Sequence, residues 1–114
     1  MGLTIDVPEG TDLGSAIRRA FLSLGCVRAR VGGEGTLSSA RLLCHDQRRM
    51  TSYEEDFNGP VEILSLDGEA TLRGSAVDLR IHIVLTGPDG RGAGGLLVTG
   101  GVPVCNARIT LDQD

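Results

Sequence analysis

Eight residues near the middle of the chain limit what it can become. From Leu79 to Thr86 the sequence reads LRIHIVLT, with Leu79, Ile81, Ile83 and Leu85 at alternate positions and Arg80, His82, Val84 and Thr86 between them. Successive side chains of a strand point to opposite faces. The spacing therefore predicts a β-strand with one apolar face against a core and one mixed face. Gly87-Pro88-Asp89-Gly90 follows. Proline presets φ, aspartate bonds its own backbone and glycine accepts left-handed conformations, which predicts a turn. Further strands are expected through Gly94–Val98 and Val102–Leu111, with Gly100-Gly101 turning between them. Upstream, Val61 to Leu66 alternates too. Val61, Ile63 and Ser65 fall on one face and Glu62, Leu64 and Leu66 on the other. Asp67-Gly68 then favours a turn or bulge. The stretch Gly59–Val104 thus reads as an antiparallel meander.

The first half supplies the remaining layer. Leu3, Ile5 and Val7 alternate as a strand that Pro8-Glu9-Gly10 ends. Thr11 is expected as a helix N-cap, with Asp12 in the first turn. Leu13, Ala16, Ile17, Ala20, Phe21 and Leu24 recur at helical spacing, and Gly25 stands just beyond. Arg18 and Arg19 fall on the outer face, read as a solvated helix face in preference to an anion site. Cys26–Val31 reads as a strand, Cys26, Arg28 and Arg30 opposite Val27, Ala29 and Val31. Gly32-Gly33-Glu34-Gly35 is expected to break it as a structural turn. A structural turn is the better reading than a phosphate loop, because strand-like residues follow and not a helix N-terminus. Ala40–His45 is a third strand. Cys44 and His45 point to opposite faces of it, so they cannot form a dyad. Arg48–Phe57, with Glu54, Glu55 and Asp56, reads as an edge strand or loop facing water. The order of strand, helix and a run of strands predicts an α+β fold, one helix packed on a largely antiparallel multi-stranded sheet, as a single domain over residues 1–114.

Composition narrows the function classes. The formal net charge is −4 and aromatic residues make up 3%. Phosphate neutralisation supplies most nucleic-acid affinity, so unaided binding is not expected. Cys26, Cys44 and Cys105 have no CxxC spacing. An odd count behind an N-terminus without leader character predicts reduced thiols and a cytoplasmic protein. No apolar run reaches membrane-spanning length. Gly2 suggests acylation, but Asp6 stands where Ser or Thr is wanted. Ser65 and Ser75 lack a G-x-S-x-G elbow. No cofactor is expected.

Several of these segments resemble one family in order and spacing. They are Pro8-x-Gly10-x-Asp12-Leu13, Gly33-Glu34-Gly35, Glu62-Ile63-Leu64-Ser65-Leu66-Asp67-Gly68, Ile81-His82-Ile83-Val84-Leu85, Gly87-Pro88-Asp89-Gly90-Arg91 and Gly94-Gly95-Leu96. Together they resemble the plant- and prokaryote-conserved (PPC) domain. The resemblance implies a fold similar to that of acetolactate decarboxylase and a homo-oligomer, a trimer. It also implies three histidine positions that resemble a metal site in many members, falling on Arg80, His82 and Leu96. A guanidinium stays protonated and leucine has no donor, so no metal is expected.

Arg80 and His82 remain, on one face of a strand, with Glu62 as a possible partner for Arg80. They could bind a small carboxylate or phosphate; alternatively Arg80 pairs with a carboxylate and His82 is a strand or interface residue. The preferred reading is a non-enzymatic, self-assembling module with a protein partner. Its DNA contact would be weak or indirect, since the R-G-R-P core of an AT-hook is absent. One alternative is a metal-dependent small-molecule enzyme, which would need Cys44 or Cys105 beside His82. The other is a metal-free sensor of small anions using Arg80 and His82.

Overall fold

The computed structural model describes residues 2–87, 89–98 and 101–114. Strand β1 (Gly2–Val7) leads into helix α1 (Leu13–Leu24). Then come β2 (Arg28–Asp46), β3 (Thr51–Arg73), β4 (Ala76–Thr86), β5 (Gly92–Leu97) and β6 (Val104–Gln113). The six strands form one antiparallel sheet in the order β1-β6-β2-β3-β4-β5, and β5 pairs with β2 as well. This is the expected α+β class. Ile81, Ile83 and Leu85 are buried on one face of β4, while Arg80, His82 and Val84 are exposed on the other. Gly87–Gly90 turns as expected, Gly90 N–H donating to the Gly87 carbonyl at 3.0 Å. Pro88, and Gly100 of the Gly100-Gly101 turn, lie outside the described residues.

Helix α1 presents Leu13, Ala16, Ile17, Ala20 and Phe21 to the core, all buried, and stops at Gly25 with φ 68. Its cap is Asp12, one residue later than expected. Asp12 Oδ2 accepts from the Ser15 amide and hydroxyl, both at 2.9 Å. Asp12 Oδ1 accepts from the Val102 amide at 2.7 Å. The Thr11 carbonyl is occupied elsewhere, accepting from Val104 N–H at 3.1 Å. One carboxylate therefore ties the start of the helix to the chain entering β6.

Three expectations about the strands change. First, Gly32–Gly35 does not break the chain: β2 is one strand across both expected segments, with a register shift between Gly32 and Gly35. Gly35 sits at φ 138, and a Cβ there would run into the Asn106 carbonyl and Ala107 of β6. Glycine is what lets β6 lie against the shifted strand. Cys26 and Val27 precede β2 with the opposite orientation to that expected, Cys26 buried and Val27 exposed. Second, the alternation of Val61–Leu66 is interrupted. Ile63 faces Leu85 and Ser65 faces Val84, so Leu64 is an inserted residue. Val61, Ile63 and Leu66 are buried together, with Leu64 and Ser65 both outside. Third, Asp67-Gly68 is not a turn but continues in register against His82 and Ile81. A Cβ on Gly68 would come within 2.6 Å of the Arg80 carbonyl, so close approach of β4 explains that glycine. Thr51–Asn58 of β3 pairs with β2 alone and is an exposed edge, as the acidic run suggests.

Burial acts to raise the Asp12 carboxyl pKa. Hydrogen bonds from the Val102 and Ser15 amides, the Ser15 hydroxyl and the Gly101 amide outweigh it, and the net value is lower than usual. A carboxylate with a lower pKa folded than unfolded binds fewer protons in the native state. Its stabilisation is complete above the unfolded value of about 4 and fades as pH falls through the folded value. Asp12→Ala should cost about 1–2 kcal/mol of unfolding free energy at neutral pH. In denaturant titrations it should also flatten the acid limb of stability against pH.

Candidate functional site

The mixed face of β4 lies on the outside of the sheet, and register fixes its neighbours. Arg80 stands opposite Glu69, and His82 opposite Asp67 on β3 and Leu96 on β5. Arg80, His82, Asp67, Glu69, Arg30 and Asp114 line an open depression of about 470 Å³, floored at Gly68. Its charges are interleaved. Arg30 Nη2 lies 3.9 Å from Asp67 Oδ1, and Glu69 Oε1 is held at 3.0 Å by Arg28 Nε. These pairs are exposed and contribute little to stability. Arg80 and His82 are exposed as well, and no ion pair to either forms among the described residues.

Glu62 is not part of this site. It stands opposite Thr86, six positions along β4 from the level of Arg80. At a strand rise of about 3.3 Å per residue that is roughly 20 Å away. It lines a different depression with Asp6, Glu34 and Arg108. The carboxylates around Arg80 are Asp67, Glu69 and Asp114, which the sequence reading did not single out. Only cross-strand register could have found them, and the inserted Leu64 shifts that register.

The cysteines lie apart from His82. Cys44 is buried on the inner side of β2, its thiol 3.9 Å from the Gly94 carbonyl. Burial, and then the charge of Glu55, push its pKa up, against a hydrogen bond from Tyr53. Cys105 belongs to β6, where its sulfur is 3.1 Å from Ser38 Oγ.

A six-stranded antiparallel sheet carrying one helix, with this register along β3, β4 and β5, is the framework that the motif order implied. The family model of the Plants and Prokaryotes Conserved (PCC) domain, the PPC domain above, matches residues 2–110. The chain belongs to this family. Among solved structures, a metal-containing protein of Archaeoglobus fulgidus is 26% identical, with a TM-score of 0.85 over 99% of this chain and 79% of its own. A Bacteroides thetaiotaomicron protein, provisionally described as DNA binding, is 16% identical with a TM-score of 0.83, covering 98% of this chain and 78% of that one. Acetolactate decarboxylase from Bacillus subtilis subspecies spizizenii is 12% identical, with a TM-score of 0.69 over 98% of this chain and 52% of the enzyme. At those identities the last two show the fold alone. No curated protein sequence matches the chain.

The residues of this PPC domain do not fit a metal at the positions where the resemblance places histidines. His82 has one ligating neighbour across the strand, Asp67, while Arg80 and Leu96 occupy the other two positions. Among the described residues no three His, Cys, Asp or Glu side chains converge. Nor is any described helix long and apolar enough to cross a membrane.

Arg80→Ala should change unfolding free energy by less than about 0.5 kcal/mol, as for an exposed side chain without an ion-pair partner. A loss above about 1 kcal/mol in denaturant titration would reveal a partner for Arg80. Cys44 should react with a disulfide reagent far more slowly than Cys105 in the folded protein, and at a similar rate in denaturant.

Proposed function

We propose that this PPC domain is a non-catalytic, self-assembling module that forms a homotrimer through the outer face of β2, β3, β4 and β5. One observation carries this reading: an apolar stripe on the water-facing side of these strands. Leu43 on β2 stands opposite Leu96 on β5, and Leu96 stands opposite His82 on β4. Val84 is next along the same face, with Leu64 beside it at the irregularity in β3. Leu43, Val84 and Leu64 are 37%, 40% and 59% exposed. Single exposed apolar residues are ordinary, but a row across four neighbouring strands marks a surface that is normally covered. The count of three copies follows the family resemblance.

Two other readings have less support. A small-anion sensor at Arg80 and His82 meets Asp67, Glu69 and Asp114 in the same depression, and these carboxylates oppose anion binding. A metal-dependent enzyme lacks ligands at two of the three histidine positions. DNA association, the role provisionally given to the Bacteroides relative, is assigned to the assembly or to a protein partner, because the chain has a net charge of −4. Weak contacts repeated around an oligomer add through avidity.

Light scattering on the purified chain should give three times the chain mass. Val84→Glu and Leu64→Glu, both at exposed positions, should reduce it to the chain mass with an unchanged far-ultraviolet spectrum. A wild-type monomer at all accessible concentrations would sink this reading.

A further inference from the structure

A second depression, on the other side of the molecule's layers, has a different character. It lies where α1 crosses the inner face of β1. Leu3, Ile5 and Val7 form one wall, Ala16 and Ala20 the other, and Arg19 stands at the rim, around a volume of about 400 Å³. The small alanines keep the helix side shallow, so Leu3 and Ile5 stay partly open to water while Val7 is covered. β1 pairs with β6 on one edge only.

Its charged groups are Arg19 and Asp6. Asp6 also touches the cleft, but its carboxylate is engaged at 3.0 Å by Arg108 Nε across the strand pair. Arg19 is exposed and makes no ion pair with the described residues. An apolar trough ending at an uncompensated guanidinium complements a ligand with an aliphatic body and one terminal anion. We infer that this cleft binds an aliphatic monocarboxylate, its chain along Leu3, Ile5, Ala16 and Ala20 and its carboxylate on Arg19. The volume lies within the range of small-molecule sites, which pair apolar walls with few polar groups. Guanidinium and carboxylate match in charge and in planar geometry. This inference is independent of the assembly reading, because the stripe of Leu43, Val84 and Leu64 lies on the opposite face of the sheet.

The experiment is a titration of methyl-labelled full chain with hexanoate, octanoate and decanoate, followed by nuclear magnetic resonance below micelle-forming concentrations. Expected are saturable shifts of the Leu3 and Ile5 methyls. Affinity should rise about three- to fourfold per added methylene. Arg19→Gln should weaken octanoate about tenfold, and octanol should bind the wild type as weakly as octanoate binds that variant. Arg19 is exposed on the helix, so the variant retains the fold. Shifts absent from Leu3 and Ile5, shifts centred on Leu64 and Val84, or affinities unchanged in Arg19→Gln would each overturn the inference.

Discussion

A strand has two edges, and β2 uses both of its edges for three partners. β3 runs along one edge from Arg28 to Asp46. On the other, β6 pairs as far as Leu37 and β5 takes over at Leu42 and Leu43. The handover closes the meander of β2, β3, β4 and β5 upon itself, because β5 also pairs with β4. It leaves β6 and β1 as a flank on which α1 rests. A sheet that bends this sharply cannot keep uniform register, and two of its shifts, Thr36/Leu37 against β6 and Leu37/Ser39 against β3, fall at this handover. Ser38 lies at the handover and donates its amide to the Pro103 carbonyl at 2.9 Å. The Asp12 carboxylate fastens the helix to the same region through Val102.

The irregularity at Leu64 decides which residues the outer face displays. With strict alternation Leu66 would point outward and Ser65 inward. The extra residue restores Leu66 to the core and leaves Leu64 outside, beside Val84. One inserted position thus completes the interior, and Leu64, the most exposed member of the apolar stripe, stays outside. Reversing side-chain direction by a single residue is cheap in chain length but changes every neighbour downstream. Asp67 and Glu69 therefore reach the level of His82 and Arg80 on the outer face.

The legible parts of the fold were those governed by local spacing. Leu79–Thr86 and Leu13–Leu24 each carry their period in full, and each stands where that period put it. Other features depended on long-range contact and had no local signal. Gly32–Gly35 and Asp67-Gly68 carry turn-forming residues, yet both lie in strands, because glycine there answers a close neighbouring backbone and not a reversal of the chain. The cap moved from Thr11 to Asp12 for the same kind of reason: Asp12 can bond Ser15 and Val102 together, and the second partner is about ninety residues away in sequence. At the site, the shared face of Arg80 and His82 was legible from strand period alone. Their neighbours required register across β3 and β5.

Arg80 and Leu96, which stand where the family resemblance places histidines, lie on the same outward-facing side as His82. Ile81, Ile83 and Leu85 hold β4 in the core, and none of them needs Arg80 or His82 to do so. The face can therefore change chemistry while the scaffold persists, which is why fold alone says little about activity. Leu96 stands at a position where the family resemblance places a histidine. Leucine there removes a possible ligand, and it also continues the apolar row between Leu43 and the Val84 level. In the proposed assembly, Leu96 would add to the apolar surface that another chain covers.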